Sequence, residues 1–344
     1  MTETITMRAA YYEARGPAHE VLRVGRLPRP EPGPGQVRVR IAMSAVNPSD
    51  VKGRGTFLGA TVMPFARIVP HQDGAGTIDA VGEGVPASRI GERVWLYMSL
   101  RGSPMGTAAE WTVLPAERAV PLPAQASFAD GACLGIPAMT AHHALLADGP
   151  VAGKTVLVQG GAGAVGWYAV QLARWAGAAR VIATAGRPST QERARAAGAH
   201  VVLDRRAPDL ADQIMAEAPA GIDRIVEVDF AANQALDAQV LARNGVVAAY
   251  ASDTGYQPVL DFRAFMVKNA VLRTLLIYEA AQQDLDAAAR DVNACVSAGL
   301  LVHQVDRILP LESIVQAHEA QESGAPVGKI LVDPNEAAAG GASR

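Results

Sequence analysis

The run from Thr155 to Gly166 constrains this chain more than any other segment. Thr155-Val156-Leu157-Val158-Gln159 is apolar and β-branched, as a strand buried on both faces must be, and Gly161, Gly163 and Gly166 follow it in the spacing G-x-G-x-x-G. A helix that opens directly after such a strand offers the N–H groups of its first turn to a pyrophosphate. The first glycine permits the tight turn, the second lets phosphates approach the backbone, and the third lets helix and strand pack closely. Gly161, Ala162, Gly163, Ala164, Val165 and Gly166 are therefore the expected dinucleotide cradle. In a chain with 33 glycines the spacing alone is weak, so the surrounding pattern has to support it.

It does so by alternation. Tyr168 to Ala176 has helical apolar spacing and stops at Gly177; Ala179 to Thr184 reads as a second strand; a helix follows, with Ser189 and Glu192 at capping-box spacing. His200–Leu203, Arg224–Val228, Val246–Tyr250 and Leu272–Ile277 supply four more apolar runs, with helical stretches between most of them. Six such strands predict an α/β fold with a doubly wound parallel sheet of the Rossmann type. At the end of the second strand, where an NAD site places an acid for the ribose 2′-hydroxyl, the chain reads Ala185-Gly186-Arg187-Pro188. No carboxylate is there to repel a 2′-phosphate, and Arg187, with Arg205 or Arg206 after the third strand, supplies positive charge, which favours NADPH. Ordinary solvated arginines are the alternative.

With 344 residues, about half of them apolar, the chain can bury two cores, and its net charge of −3 gives no electrostatic preference for nucleic acid or a membrane surface. No apolar run reaches transmembrane length, and Met1-Thr2-Glu3-Thr4 lacks the order of a secretory signal. Two cysteines, Cys133 and Cys295, cannot build a disulfide framework, so a cytoplasmic setting is expected. Residues 8 to about 125 read as short strands and turns: Val37-Arg38-Val39-Arg40-Ile41 alternates, Gly76–Val81 ends in Gly82, and Arg93–Met98 carries aromatics that either fill a core or line a pocket. The proline-rich run 27–34 is a surface loop, and 335–344 has the small, polar composition of a disordered tail.

Several ordered motifs accompany the glycine run: Ala45-Val46-Asn47-Pro48-Ser49-Asp50, Asp73-Gly74-Ala75-Gly76 before Val81-Gly82, Gly135-Ile136-Pro137-Ala138-Met139-Thr140-Ala141, and Gly328-Lys329-Ile330. Over nearly its whole length the chain resembles the medium-chain dehydrogenase/reductases, in the zinc-free quinone oxidoreductase branch that includes ζ-crystallin. The resemblance implies a mostly β GroES-like catalytic domain over 1–125, completed by 280–344, a Rossmann NADPH-binding domain over 126–279, a coenzyme cleft and a homodimer. It also implies site roles. Asn47, Asp50 and Thr140 are the candidate catalytic residues, with Asn47 hydrogen-bonding the nicotinamide ribose. Tyr250 and Ser252 after the fifth strand, Ile277 and Tyr278 at the end of the sixth, and Lys329 join the coenzyme site. On their own, Asn47 also suits an Asx turn before Pro48, Thr140 a helix cap, and Lys329 a solvated strand end.

Where zinc-dependent relatives place metal ligands, this chain offers Asn47, Gln72 or its neighbour His71, and Ile136; two cysteines cannot form a four-thiolate cluster, and adjacent His142 and His143 face different directions. No metal is expected, and His71 reads as a polar residue or a proton donor. Without a Lewis acid a simple alcohol is a poor substrate, whereas a quinone or enone delocalises the charge that hydride brings. The expected activity is NADPH-dependent reduction of a small-molecule quinone, with reduction of activated C=C bonds in enones or acrylates, or coenzyme binding with little turnover, as alternatives. Lys52 and Arg205 stand where several relatives carry tyrosines. Lys52 and Arg54 either attract an anionic acceptor or are solvated loop cations.

Overall fold

The computed structural model describes residues 5–55 and 62–336. The expectations placed on Met1–Thr4 and on 337–344 lie outside the described residues. The chain divides into two compact units, one made of Met1–Ile136 with His303–Arg344 and the other of Pro137–Val302.

In the second unit six parallel strands lie in the order Val201–Asp204, Arg180–Ala185, Thr155–Val158, Ile222–Glu227, Leu241–Ala249, Val271–Thr274. Numbered along the chain this is 3-2-1-4-5-6, the doubly wound order. Leu157, Ile182, Ile225 and Val247 on the sheet are fully buried and share a core with Ile214 and Phe230. The glycine turn follows the first strand, where the strand order reverses. Helix Ala164–Trp175 starts at once from Gly163. A Cβ on Gly166 would lie 2.2 Å from the Gly160 carbonyl oxygen, so only glycine lets this helix sit so close to its turn.

Two local expectations are corrected here. The sixth strand stops at Thr274 because its partner ends at Ala249, and Ile277–Glu279 forms a 3-10 turn. The helix after the second strand is capped at Arg187, not Ser189. Thr190 Oγ1 accepts the Arg187 N–H at 3.0 Å and donates to the Arg187 carbonyl at 2.8 Å, with Pro188 in the first turn.

The first unit is built on a seven-stranded sheet. Strand Gln36–Ala45 is central, pairing with Lys329–Asp333, Asp73–Val81 and Trp111–Pro115. Val37, Val39 and Ile41 are fully buried, as the alternation predicts, while Arg38 is held by Asp79 at 2.8 Å and Glu31 at 2.6 Å. Trp95 and Tyr97 are fully buried, which assigns the aromatics of that strand to the core.

The unit boundaries differ from those expected at 125/126 and 279/280. Helix Gln282–Ser297 buries Leu285, Ala288, Val292 and Cys295 within the parallel-sheet unit, which moves the second boundary to 302/303. The first falls inside the helical run Phe128–Leu146, which breaks at Gly135 (φ 0°, ψ −118°) just before Pro137. The break has a packing cause. A Cβ on Gly135 would lie 2.1 Å from Asp73 Oδ1, so the Asp73 carboxylate fills the notch that glycine leaves. Gly135→Ala should therefore displace a buried carboxylate and lower stability by about 3 kcal/mol; an unshifted urea midpoint would refute the notch.

Candidate active site

Asn47 follows strand Gln36–Ala45 and caps the short helix Pro48–Arg54. Asn47 and Asp50 form its capping box. The Asn47 N–H donates to Asp50 Oδ2 at 2.8 Å, and the other Asp50 oxygen accepts the Gln72 N–H at 3.1 Å. The Asn47 side chain also reaches two residues outside this helix. Its amide nitrogen donates to Asp73 Oδ2 at 2.7 Å, and its carbonyl oxygen accepts from Lys329 Nζ across 282 residues of chain.

Asp73 opens strand Asp73–Val81 opposite Ala45, and its two oxygens accept the Ile136 N–H at 3.0 and 2.9 Å. Lys329 Nζ stands 4.0 Å from Asp73 Oδ2. Asn47, Asp50, Asp73 and Lys329 are all buried, so Lys329 is not a solvated strand end. Burial pushes the Asp73 carboxyl up to about 6 against the opposing pull of Lys329, Asn47 and the Ile136 N–H. Burial and then the charge of Asp73 push Asp50 further, to about 8, against the Asn47 N–H, Lys329 and the Gln72 N–H.

This donor set does not fit zinc. An amide, a carboxylate and an ammonium stand together, and the ammonium offers a charge but no lone pair. His71 is not in that set; its ring is bonded to Ser44 and His318. Among the described residues no group of three or more His, Cys, Asp and Glu side chains is arranged to hold a metal ion.

The other expected residues lie in the parallel-sheet unit. Gly163 and Ala164 are exposed at the start of their helix, so the turn presents its backbone and suits a pyrophosphate. At Gly186 an added Cβ would meet Arg205 Nε at 2.9 Å, so the Arg205 side chain lies across the position where an NAD site carries its acid. Arg187 is exposed next to it, while Arg206 is engaged by Asp204 at 3.2 Å. Ser252 ties its own loop: its hydroxyl accepts the Ala231 N–H at 3.1 Å and donates to the Gly255 carbonyl at 2.5 Å. Burial, then Glu227 and Asp253, raise the Tyr250 phenol far above its ordinary range. Ile277 is buried in the 3-10 turn that also carries Tyr278. Thr140 is buried inside the helical run, which excludes a helix cap.

Sequence reasoning missed Asp73 as a functional residue. It was visible only as the acid opening an otherwise apolar strand, and its partners come from positions 47, 136 and 329. Arg54 corrects a second reading: it is buried and bound to Glu322, the Gly16 carbonyl and His318, so it is neither a solvated cation nor a lure for an acceptor.

A quinone oxidoreductase from Lama guanicoe is 32% identical over 299 residues, covering 86% of this chain and 87% of the relative. The chain belongs to the medium-chain dehydrogenase/reductase superfamily. Within it, this chain falls in the quinone oxidoreductase, ζ-crystallin-like branch. Residues 33–124 match the alcohol dehydrogenase GroES-like domain and residues 164–294 the zinc-binding dehydrogenase family. A solved structure described as an NAD-dependent alcohol dehydrogenase is 29% identical, with a TM-score of 0.82, over 95% of this chain and 99% of that one. A mycobacterial structure complexed with NADPH is 25% identical, also with a TM-score of 0.82, over 95% and 100%. This medium-chain dehydrogenase/reductase is thus an oxidoreductase of a nicotinamide-dependent family. Among the described residues no helix is long and apolar enough to cross a membrane.

The acid cluster sets a pH dependence. With their carboxyls raised in the folded state, Asp50 and Asp73 hold protons that the unfolded chain has already released, so their contribution to stability falls as pH climbs through about 6 and then about 8. Asp50→Asn should flatten the loss of unfolding free energy between about pH 4 and pH 8. Urea titrations across that range test this, and an unchanged slope would count against it.

Proposed function

We propose that this chain is an NADPH-dependent oxidoreductase that reduces a quinone by hydride transfer without zinc. The observation that carries this reading is the buried Asn47–Asp73–Lys329 group. It joins a fixed amide to a carboxylate and a lysine, a set that offers a metal neither thiolate nor imidazole. NADPH, when bound, supplies the hydride from its nicotinamide ring.

The protein's part is orientation. Asn47 spends one amide hydrogen on Asp73 and one lone pair on Lys329, and its second amide hydrogen suits a hydroxyl of the ribose. Because both ends of the amide are pinned, it cannot flip, and the sense of the ribose is fixed with it. Asp73 keeps Lys329 close through opposite charge, and Lys329 favours an acceptor that gathers negative charge. The glycine turn, through the first N–H groups of helix Ala164–Trp175, holds the pyrophosphate. Arg205 across Gly186, with Arg187 beside it, pairs with a 2′-phosphate that a carboxylate there would repel. A quinone suits a site with no Lewis acid because its own π-system takes up the charge.

Two experiments test the reading. Stopped-flow oxidation of NADPH should be fast with quinones and slow with enones and unsaturated acids. Turnover of enones or acids alone would shift the activity to activated C=C reduction, and tight binding with no oxidation would make this a coenzyme-binding protein. Arg187→Ala and Arg205→Ala should each weaken NADPH binding by about 10- to 100-fold, the range for a hydrogen bond to a charged group, and leave NADH binding unaltered. Equal losses for both coenzymes would remove the 2′-phosphate assignment.

A further inference from the structure

Behind Asp73 runs a chain of buried polar groups that the proposed reaction does not use. Thr107 Oγ1 donates to the Asp73 backbone carbonyl at 2.6 Å. Ser44 Oγ lies 2.7 Å from Thr107 Oγ1 and 2.7 Å from His71 Nδ1. His71 Nε2 lies 3.0 Å from His318 Nε2, and Arg54 Nε donates to His318 Nδ1 at 3.4 Å. Ser44, Thr107, His71 and His318 are fully buried, away from bulk solvent.

Proton counting fixes the direction of every link. Thr107 has one hydroxyl proton, and the Asp73 carbonyl takes it. Thr107 must then accept from Ser44, whose single proton is spent in turn, so Ser44 must accept from His71 Nδ1–H. Neutral His71 has a bare Nε2 and accepts from His318 Nε2–H. The bare Nδ1 of His318 accepts from Arg54, a group that can only donate. Burial, His318 and Lys329 hold His71 well below its ordinary range, and burial and Arg54 push His318 down to about 3, so both rings are neutral. The imidazole planes differ by 19° with centroids 5.2 Å apart, which with Nε2 atoms at 3.0 Å means that the rings meet edge to edge, as an in-plane hydrogen bond requires. His71 also holds φ at +78°, a backbone conformation that residues with a Cβ seldom adopt.

We propose that Thr107, Ser44, His71 and His318 are positioning residues, a one-way hydrogen-bond chain anchored on Arg54 that fixes Asp73 and, through its carboxylate, the Asn47–Lys329 pair. The proposal rests on the reading of that pair as the group that orients the nicotinamide ribose. Most coenzyme affinity on that reading comes from the glycine turn and the arginines of the other unit. Loosening Asp73 therefore spoils orientation more than binding, and hydride transfer slows while coenzyme affinity stays.

Nitrogen-15 NMR of the imidazoles in the full-length protein tests the chain directly. Near pH 7, His71 should be the neutral Nδ1–H tautomer and His318 the neutral Nε2–H tautomer; a charged ring or the reverse tautomer at either position overturns the proposal. Ser44→Ala and His318→Leu should lower the single-turnover rate of NADPH oxidation at least tenfold at saturating coenzyme with NADPH affinity retained. His318→Gln, which can still donate and accept, should restore most of the rate. A lowered melting temperature with an unchanged rate would make the chain merely structural and overturn its positioning role. If none of the quinones, enones or unsaturated acids supports NADPH oxidation by the wild-type protein, the proposed function fails, and the Asp73 carboxyl carbon-13 titration decides the chain by itself. Its midpoint should move in Ser44→Ala, and an unmoved midpoint overturns the proposal.

Discussion

A single buried carboxylate holds the candidate site together. Asp73 fills the notch at Gly135, accepts the N–H of Ile136, accepts the amide of Asn47 and faces the ammonium of Lys329. A carboxylate taken out of water is tolerated when charge-assisted hydrogen bonds and an opposite charge replace its hydration, and Asp73 has both. Each partner is also constrained in return. The helical run must break at Gly135, the Asn47 amide must face Asp73 and Lys329, and Lys329 must open its strand inside the unit.

The same arrangement explains why two carboxyls can share this region. Asp50 turns its oxygens to the backbone N–H groups of Asn47 and Gln72, while Asp73 turns its own to Ile136 and Asn47. One lysine cannot neutralise both in a low dielectric. Burial therefore raises both carboxyls, and the charge of Asp73 raises Asp50 further. A fixed ammonium beside a fixed amide is a different tool from a Lewis-acid metal: it supplies charge and direction but no vacant coordination position.

The legible part of the site was the part written in adjacent residues. Gly161, Gly163 and Gly166 declared the turn and its helix because backbone sterics act over a few positions, and the absence of an acid beside Gly186 was equally local. Arg205 shows where that ends. Its lateral placement over Gly186 depends on the second and third strands lying side by side. The extent of the sixth strand was misjudged for a related reason, since a strand lasts only as long as its neighbour offers partners. Arg54 read as a surface cation because nothing near it in the chain announces Glu322 or His318.

The amino-acid order alone determined the alternation of strands and helices, the glycine turn, the resemblance of its ordered motifs to a known superfamily and the residues from which a site could be drawn. Those features follow from hydrophobic periodicity and backbone sterics, which are short-range. Tertiary structure decided which of the candidates meet: Asn47 with Asp73 and Lys329, His71 with His318, Gly135 with a carboxylate. Hydrogen bonding and charge pairing act through space, and residues 282 positions apart become neighbours only when strand Lys329–Asp333 pairs with strand Gln36–Ala45.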